Sequence, residues 1–436
     1  MHGVILTMKS LSTEKKLKNK SLKLEKLLPI PEVAIIQLQK SRFNMKKKIL
    51  LLGSDGYIGW ALLQRLVKEK YEIYCVDARF RDSIVSNEMG SYSATPNPSI
   101  FQKYEWLEKQ KDVSWYEFDC VKNFDALKQL FRHCTFDTIV NLAHQPSGPY
   151  SQKCLENANF TLYNNILGAN QILWLMKEYC PNAHYITIGS TGEYSHNLDI
   201  PIEEGYFTMD GATDKSIFPR RTNSIYHASK IANTYITDTL SRMWGLKTTD
   251  IMQAVVFGAY TNEIEKSKMY TRLDTDAAFG TVCNKFMVQA ILGMDLTVYG
   301  WGEHKRGFIA LNDSIQALMI AINNDSDKDF PSDYSPRVWN QLSFWTSMND
   351  LAYTVKRIAL KEFNINVGVE HIENPRHEIT EAPKHYSYKT DILDSYGYKP
   401  TKTLEEELIY TMKILHSYKN RLEGLRNNFT NHIRFK

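Results

Sequence analysis

Gly53-Ser54-Asp55-Gly56-Tyr57-Ile58-Gly59 follows the apolar run Ile49-Leu50-Leu51-Leu52 directly and opens a helical pattern that runs to Lys68. Glycines at this spacing let the chain turn tightly, let the backbone approach a pyrophosphate and let the helix pack close to the sheet. The free N–H groups at the helix start then face the phosphates. Isolated, such a motif predicts no more than a tight turn; between a strand and a helix it predicts a dinucleotide loop. Asp77 ends the next strand, 24 residues after Gly53, where a carboxylate can accept hydrogen bonds from adenosine ribose hydroxyls, which favours NAD over NADP. Arg79 and Arg81 stand just beyond and carry the contrary signal, being placed to neutralise a 2′-phosphate.

Outward from this loop the apolar runs alternate with helical patterns. Strands are expected at Ile49–Leu52, Glu72–Val76, Ser114–Phe118 and Thr138–Leu142, with helices at Gly59–Lys68 and Phe124–His133. A long helical stretch from Leu155 to Tyr179, a strand at His184–Ile188, a helix over Tyr226–Met243 and a strand near Thr249–Val256 complete the series. The pattern predicts an α/β fold: a doubly wound parallel sheet with ligand at the carboxyl ends of its strands, and a smaller C-terminal substrate lobe. Residues 46–258 are assigned to the dinucleotide domain, 259–415 mainly to the substrate lobe with some elements returning to the core, and 416–436 to a peripheral basic tail. Residues 79–112 form an insertion rich in Ser, Asn and Pro, long for a simple loop and placed to cover cofactor or substrate.

Charge is distributed unevenly. Residues 1–48 hold twelve basic residues against Glu14, Glu25 and Glu32, so a formal net charge of +4 conceals a folded part near −5. Nucleic-acid binding would place its basic surface on the folded domain, and that partner is set aside. Residues 1–45 read as a Lys-rich leader outside the core. Its lysines and three Glu differ from an Arg-rich, acid-poor transit peptide, which argues for a cytoplasmic protein over a plastid one. A membrane-binding leader is the other reading of its Lys and Leu spacing, with a solvated tail preferred. No run approaches the length of a membrane span. Six scattered cysteines without CxxC, and no His/Cys ligand spacing, point to reduced thiols and no metal.

Tyr226-His227-Ala228-Ser229-Lys230 puts a phenol and an ammonium four residues apart on one helix face. The Lys charge favours the phenolate and makes the Tyr a usable base. A second such pair, Tyr398 and Lys402, is interrupted by Pro400 and is rejected. Ser190, ending the strand before this helix, supplies a hydroxyl for the same substrate oxygen, and Ser190, Tyr226 and Lys230 then form a Ser/Tyr/Lys triad.

The triad and glycine loop resemble those of the extended short-chain dehydrogenases, which have a Rossmann fold. Gly53 to Trp60, Ser147-Gly148-Pro149-Tyr150-Ser151, Thr191-Gly192-Glu193-Tyr194, Arg272-Leu273-Asp274, Phe279-Gly280-Thr281, Val298-Tyr299-Gly300 and Arg306-Gly307 resemble the UDP-sulfoquinovose synthases among them. The resemblance implies NAD as cofactor, held by Gly53, Asp55, Gly56, Tyr57, Ile58, Gly59, Asp77, Arg79, Asp119, Leu142 and Ala143 together with Tyr226 and Lys230. It implies a UDP-sugar contacted by Thr191, Glu193, Arg272, Asn284, Val298, Tyr299 and Arg306, with Arg272 and Arg306 on the pyrophosphate. It also implies a homodimer.

By the same resemblance, Tyr226 takes the proton of the sugar 4-hydroxyl while hydride passes from C4 to NAD. Loss of water across C5 and C6 then leaves an acceptor for sulfite, and returned hydride restores the alcohol. His227 is a further candidate acid, base or anion contact, with packing as its plain alternative. Ordinary 4,6-dehydratases carry an Asp-Glu pair after the triad hydroxyl where this chain has Thr191-Gly192, which argues against that activity. One departure bears on sulfite: sulfoquinovose synthases carry an Arg in the active-site loop where this chain reads His144-Gln145-Pro146-Ser147. An epimerase or 5,6-dehydratase is therefore the runner-up, and a non-catalytic NAD-binding module the alternative from another class.

Overall fold

The computed structural model describes residues 46–194, 203–208, 215–217, 220, 222, 224–374 and 387–430; the leader assigned to 1–45 and the last residues of the basic tail lie outside them. β1 (Lys48–Leu52) and β2 (Glu72–Asp77) flank α1 (Tyr57–Lys68). Next come α2 (Ile100–Glu108), β3 (Val113–Glu117), α3 (Phe124–His133) and β4 (Thr138–Asn141). The stretch expected as one helix from Leu155 to Tyr179 is α4 (Leu155–Leu162) and α5 (Gly168–Tyr179), joined by a π turn at Tyr163–Leu167. β5 (His184–Ser190) is followed by a short antiparallel pair, β6 (Tyr206–Thr208) and β7 (Lys215–Ile217), and by α6 (Ile225–Trp244). Ser224 caps α6 by accepting from the His227 N–H at 3.1 Å, and Gly245, with φ +67°, ends it.

The single strand expected near Thr249–Val256 is two: β8 (Lys247–Gln253) and β9 (Val255–Phe257). The Ala254 N–H donates to the Gln341 carbonyl at 2.9 Å, and beyond it the chain leaves the large sheet. α7 (Val282–Ile291), β10 (Leu296–Tyr299), β11 (Lys305–Ala310), α8 (Leu311–Asn323), β12 (Arg337–Gln341) and β13 (Phe344–Ser347) follow. α9 (Met348–Phe363), β14 (Val369–Ile372) and α10 (Leu404–Ser417) complete the named elements.

Seven parallel strands form the main sheet in the order β12-β8-β5-β4-β1-β2-β3. The strand order reverses between β1 and β4, the place where doubly wound sheets open a crevice for ligand. Alternation along β1 builds both faces: Ile49 and Leu51 pack with Trp60, Leu63 and Leu318 of α1 and α8, while Leu50 and Leu52 pack with Leu127, Phe131 and Leu173 of α3 and α5. A separate apolar cluster of Phe286, Leu351, Val355, Leu408 and Met412 unites α7, α9 and α10, in the stretch expected as the substrate lobe. The same cluster takes in Leu422, Leu425 and Phe429. The tail expected at the periphery is thus packed to Phe429, because its apolar residues are spaced to place one face against α7. No helix among the described residues is long and apolar enough to cross a membrane.

Candidate active site

A cavity of about 1470 Å³ opens at the strand reversal. At its base Gly53 has φ +79°, and a Cβ there would lie 2.6 Å from the Leu142 carbonyl carbon; at Gly59 one would lie 2.0 Å from the Gly53 oxygen. Neither position accepts a side chain, and the cradle so formed brings backbone against the cavity. Gly56 precedes α1 without a side-chain cap, so the helix start presents N–H groups with no capping oxygen. Tyr57, Ile58, Leu142, Ala143 and Asp119 line the same end; Asp119 also accepts from the Val121 and Lys122 N–H groups at 2.9 and 3.1 Å. This donor set fits a dinucleotide.

Asp77 lines the cavity with both carboxylate oxygens already in use, Oδ2 accepting from Asp55 N at 2.7 Å and Oδ1 from Arg79 N at 2.6 Å. Burial and the neighbouring Asp55 push its pKa up to about 6. Asp55 in turn is bound by Lys103 Nζ at 2.5 Å and Arg79 Nε at 3.1 Å. Lys103, 1% exposed and 4.9 Å from the Trp60 ring, comes from α2 in the insertion. It went unnoticed in the sequence because a Lys in a Ser- and Asn-rich stretch reads as solvated. Arg81 turns away from Asp77, to Asp274 at 2.8 Å and to the Phe279 ring at 3.9 Å.

Ser190, Tyr226 and Lys230 line the same cavity, with Tyr226 hydrogen-bonded to Ser190. α6 presents Tyr226 one turn before Lys230, whose Nζ donates to the Ile188 carbonyl at 2.6 Å, contacts His144 Nδ1 at 2.8 Å and lies 5.8 Å from the Tyr226 ring centre. Burial lowers the Lys230 pKa to about 8, opposed by Glu193 and Asp250. Burial raises that of Tyr226, Glu193 adds to the rise, and a hydrogen bond with Ser190 lowers it. Burial, then the Lys230 charge, holds His144 well below the ordinary imidazole range, so it is the neutral acceptor of a Lys230 hydrogen bond. His144 was noticed in the sequence only as part of a loop lacking an Arg. His227 faces the cavity with Nδ1 2.8 Å from Ser224 Oγ, and a Cβ on Gly192 would lie 2.2 Å from its Nε2. Gly192 thus makes room for His227 where dehydratase sequences carry an acid.

Of the residues expected at the substrate, Thr191, Val298, Tyr299 and Arg306 line the cavity, as do Pro146 and Lys285. Two expected substrate residues do not. Glu193 is fully buried behind Ser190, accepting from its N–H at 2.7 Å and pairing with Arg220 at 2.5 Å, because a capping box turns its side chain back over the strand end. Asn284 is spent on the backbone, its Oδ1 accepting from Gly258 N at 3.0 Å. Arg272 lines the cavity but is only 4% exposed, and its guanidinium binds Asp274 bidentately at 2.9 and 3.0 Å and Asp82 at 2.5 Å. The expected pyrophosphate contact would have to displace those carboxylates; Arg306, on β11, also lines the cavity.

Residues 49–335 match the NAD dependent epimerase/dehydratase family. The chain is 37% identical over 382 residues to the UDP-sulfoquinovose synthase of Sulfolobus acidocaldarius, covering 86% of this chain and 94% of that protein. It is 33% identical to the chloroplastic UDP-sulfoquinovose synthase of Spinacia oleracea, covering 87% and 77%. Among solved structures, the UDP-glucuronic acid 4-epimerase of Bacillus cereus in complex with UDP-glucuronic acid and NAD superposes with a TM-score of 0.63 at 18% identity, covering 85% of this chain and 99% of that one. The Thermotoga maritima UDP-glucose 4-epimerase superposes with a TM-score of 0.62. These two likenesses concern the fold.

Proposed function

The chain belongs to the NAD dependent epimerase/dehydratase family, and from that premise we propose that it converts UDP-glucose and sulfite into UDP-sulfoquinovose by transient oxidation at sugar C4. It is an NAD-dependent nucleotide-sugar enzyme of the short-chain dehydrogenase type. The observation that carries the finer reading is the junction of Ser190, Tyr226 and Lys230 with His227, for which Gly192 leaves room, in one cavity with the Gly53 loop. Bound NAD supplies a hydride acceptor and donor for C4. Tyr226 takes and returns the 4-hydroxyl proton, Ser190 hydrogen-bonds the same oxygen, and the Lys230 ammonium favours the phenolate. His227 is the group for proton transfer at C5 and C6. Arg306, Val298 and Tyr299 hold the nucleotide, with the sugar between them and Tyr226.

Pro146 supports a second reading. It lines the cavity where sulfoquinovose synthases carry an Arg, and an enzyme without an anion-binding group there would stop at epimerisation or 5,6-dehydration. The proposed assembly is a homodimer through α4, α5 and α6, whose outer faces expose Leu155 at 70%, Trp174 at 49% and Met243 at 64%. Incubation with NAD and UDP-glucose, with and without sulfite, followed by mass spectrometry and solvent deuterium uptake at C5, tests the reading. A sulfite-dependent product heavier by the sulfonate supports the synthase. Deuterium at C5, or a chromatographically distinct isomer of UDP-glucose, with no sulfonate supports the second reading, and an unlabelled, unchanged UDP-glucose overturns both.

A further inference from the structure

The groups around the adenosine end of the cavity are paired in a way that bears on which dinucleotide is accepted. Arg79 is the cation nearest Asp77 in the chain, and its backbone N–H is bonded to that carboxylate. Its φ is +52°, and its guanidinium points away: Nε to Asp55 at 3.1 Å, Nη2 to Asp82 at 3.2 Å, Nη1 toward Glu117 at 4.0 Å. Of these partners only the Asp55 side chain is buried, at 4% exposure against 38% and 46% for Asp82 and Glu117. Exposed pairs are screened and hold weakly, so Asp55 is the partner that fixes the guanidinium. The same carboxylate takes the buried Lys103 ammonium at 2.5 Å, and Lys103 lies close enough to Asp77 to lower its pKa. Two cations thus lie beside the ribose-binding carboxylate, and one residue of the glycine loop engages both.

We propose that Asp55 is a specificity-determining residue that secures preference for NAD over NADP by withholding Arg79 and Lys103 from a ribose 2′-phosphate. The inference rests on the dinucleotide reading of the cavity. A 2′-phosphate entering beside Asp77 meets a carboxylate and no available guanidinium, whereas a ribose diol meets an acceptor. Without the Asp55 charge, Arg79 is left to two exposed carboxylates that a phosphate outcompetes by bidentate hydrogen bonding.

Titration calorimetry of the full chain, freed of bound nucleotide, with NAD and with NADP gives the ratio of the two dissociation constants. Asp55→Asn, and the charge-balanced Asp55→Asn/Lys103→Met, which keeps the pocket neutral should the single variant fold poorly, are expected to shift the ratio toward NADP by at least fivefold. Adding Arg79→Met to the charge-balanced variant, where neither cation then remains, is expected to return it to near the wild-type value, and Arg79→Met alone to weaken both ligands alike. A smaller shift in the charge-balanced variant, or a shift in that variant that survives Arg79→Met, overturns the inference while leaving the dinucleotide reading intact. Wild-type protein that binds neither ligand overturns both.

Discussion

Replacing Glu193 by Gln removes a charge that never touches the cavity yet acts on the group that does. Glu193 shares a buried cluster with Arg220, Asp250 and Lys230, and Thr234 Oγ1 donates to Asp250 at 2.7 Å and to Glu193 at 3.1 Å. Lys230 loses its proton at about pH 8 rather than 10.5, and Glu193 is the foremost charge opposing that fall. The drop corresponds to about 3 kcal/mol against the ammonium at neutral pH. The protonated Lys230 supports the phenolate, so turnover of the wild-type protein should decline as pH rises through about 8. E193Q should move that alkaline limb to lower pH. Because the folded pKa lies below the unfolded one, the unfolded chain binds the extra proton between about pH 8 and 10.5, and stability from this group rises with pH across that window. Stripping Arg220 of one of its two buried counter-charges should cost about 3 kcal/mol, the low end for a broken buried pair because Asp250 remains. That corresponds to a melting temperature lower by roughly 5 °C in a chain this long. A pH–rate profile and a thermal melt decide it: an alkaline limb in E193Q within about 0.2 pH unit of wild type would refute the coupling.

Gly53→Ala places a Cβ 2.6 Å from the Leu142 carbonyl carbon at a φ of +79°, and should cost at least about 2 kcal/mol and abolish NAD retention, read by melting and nucleotide content. Tyr226→Phe should lower kcat by about 10² to 10⁴ while NAD still binds, separating proton transfer from binding by steady-state kinetics and calorimetry. Gly192→Ala pushes a methyl to 2.2 Å from His227 Nε2; if His227 serves proton transfer, C5 deuterium exchange falls while NAD still binds, and unchanged exchange removes it from the mechanism. Phe429→Ala, which empties a buried site beside α7, should destabilise by about 3 to 5 kcal/mol in a thermal melt.

The first four strands and α3 were legible because their signals are local: Phe124–His133 is a helix with Leu127, Leu130 and Phe131 on one face, and Glu72–Asp77 is a strand that ends on its acid. The glycine loop and the triad were legible for the same reason, each being a motif within one strand–helix junction. What was not legible depends on distant partners. Nothing near Lys103 in the chain announces that it will be buried against Asp55, 48 residues before it. The engagement of Arg272 by Asp82 joins residues 190 apart. Glu193 is expected at the substrate from the resemblance of Thr191-Gly192-Glu193-Tyr194, but its outer oxygen is taken by Arg220, a residue with no motif around it. The break at Ala254 is likewise set by Gln341, on a strand the sequence pattern did not announce.

That late strand carries a consequence for synthesis. β12 closes the edge of the large sheet against β8, from Arg337↔Thr249 to Gln341↔Gln253, and about 85 residues separate the two strands in the chain. At ribosomal rates of about 5 to 20 residues per second, β8 emerges several seconds before the strand that covers it. During that interval the nascent domain presents a bare parallel edge of unpaired N–H and C=O groups beside the apolar Ile251 and Met252. The half that carries the glycine loop and the triad is made first and finished last, so a chain arrested between residues 258 and 337 would hold every triad residue and still expose an adhesive margin to its neighbours on the same polysome.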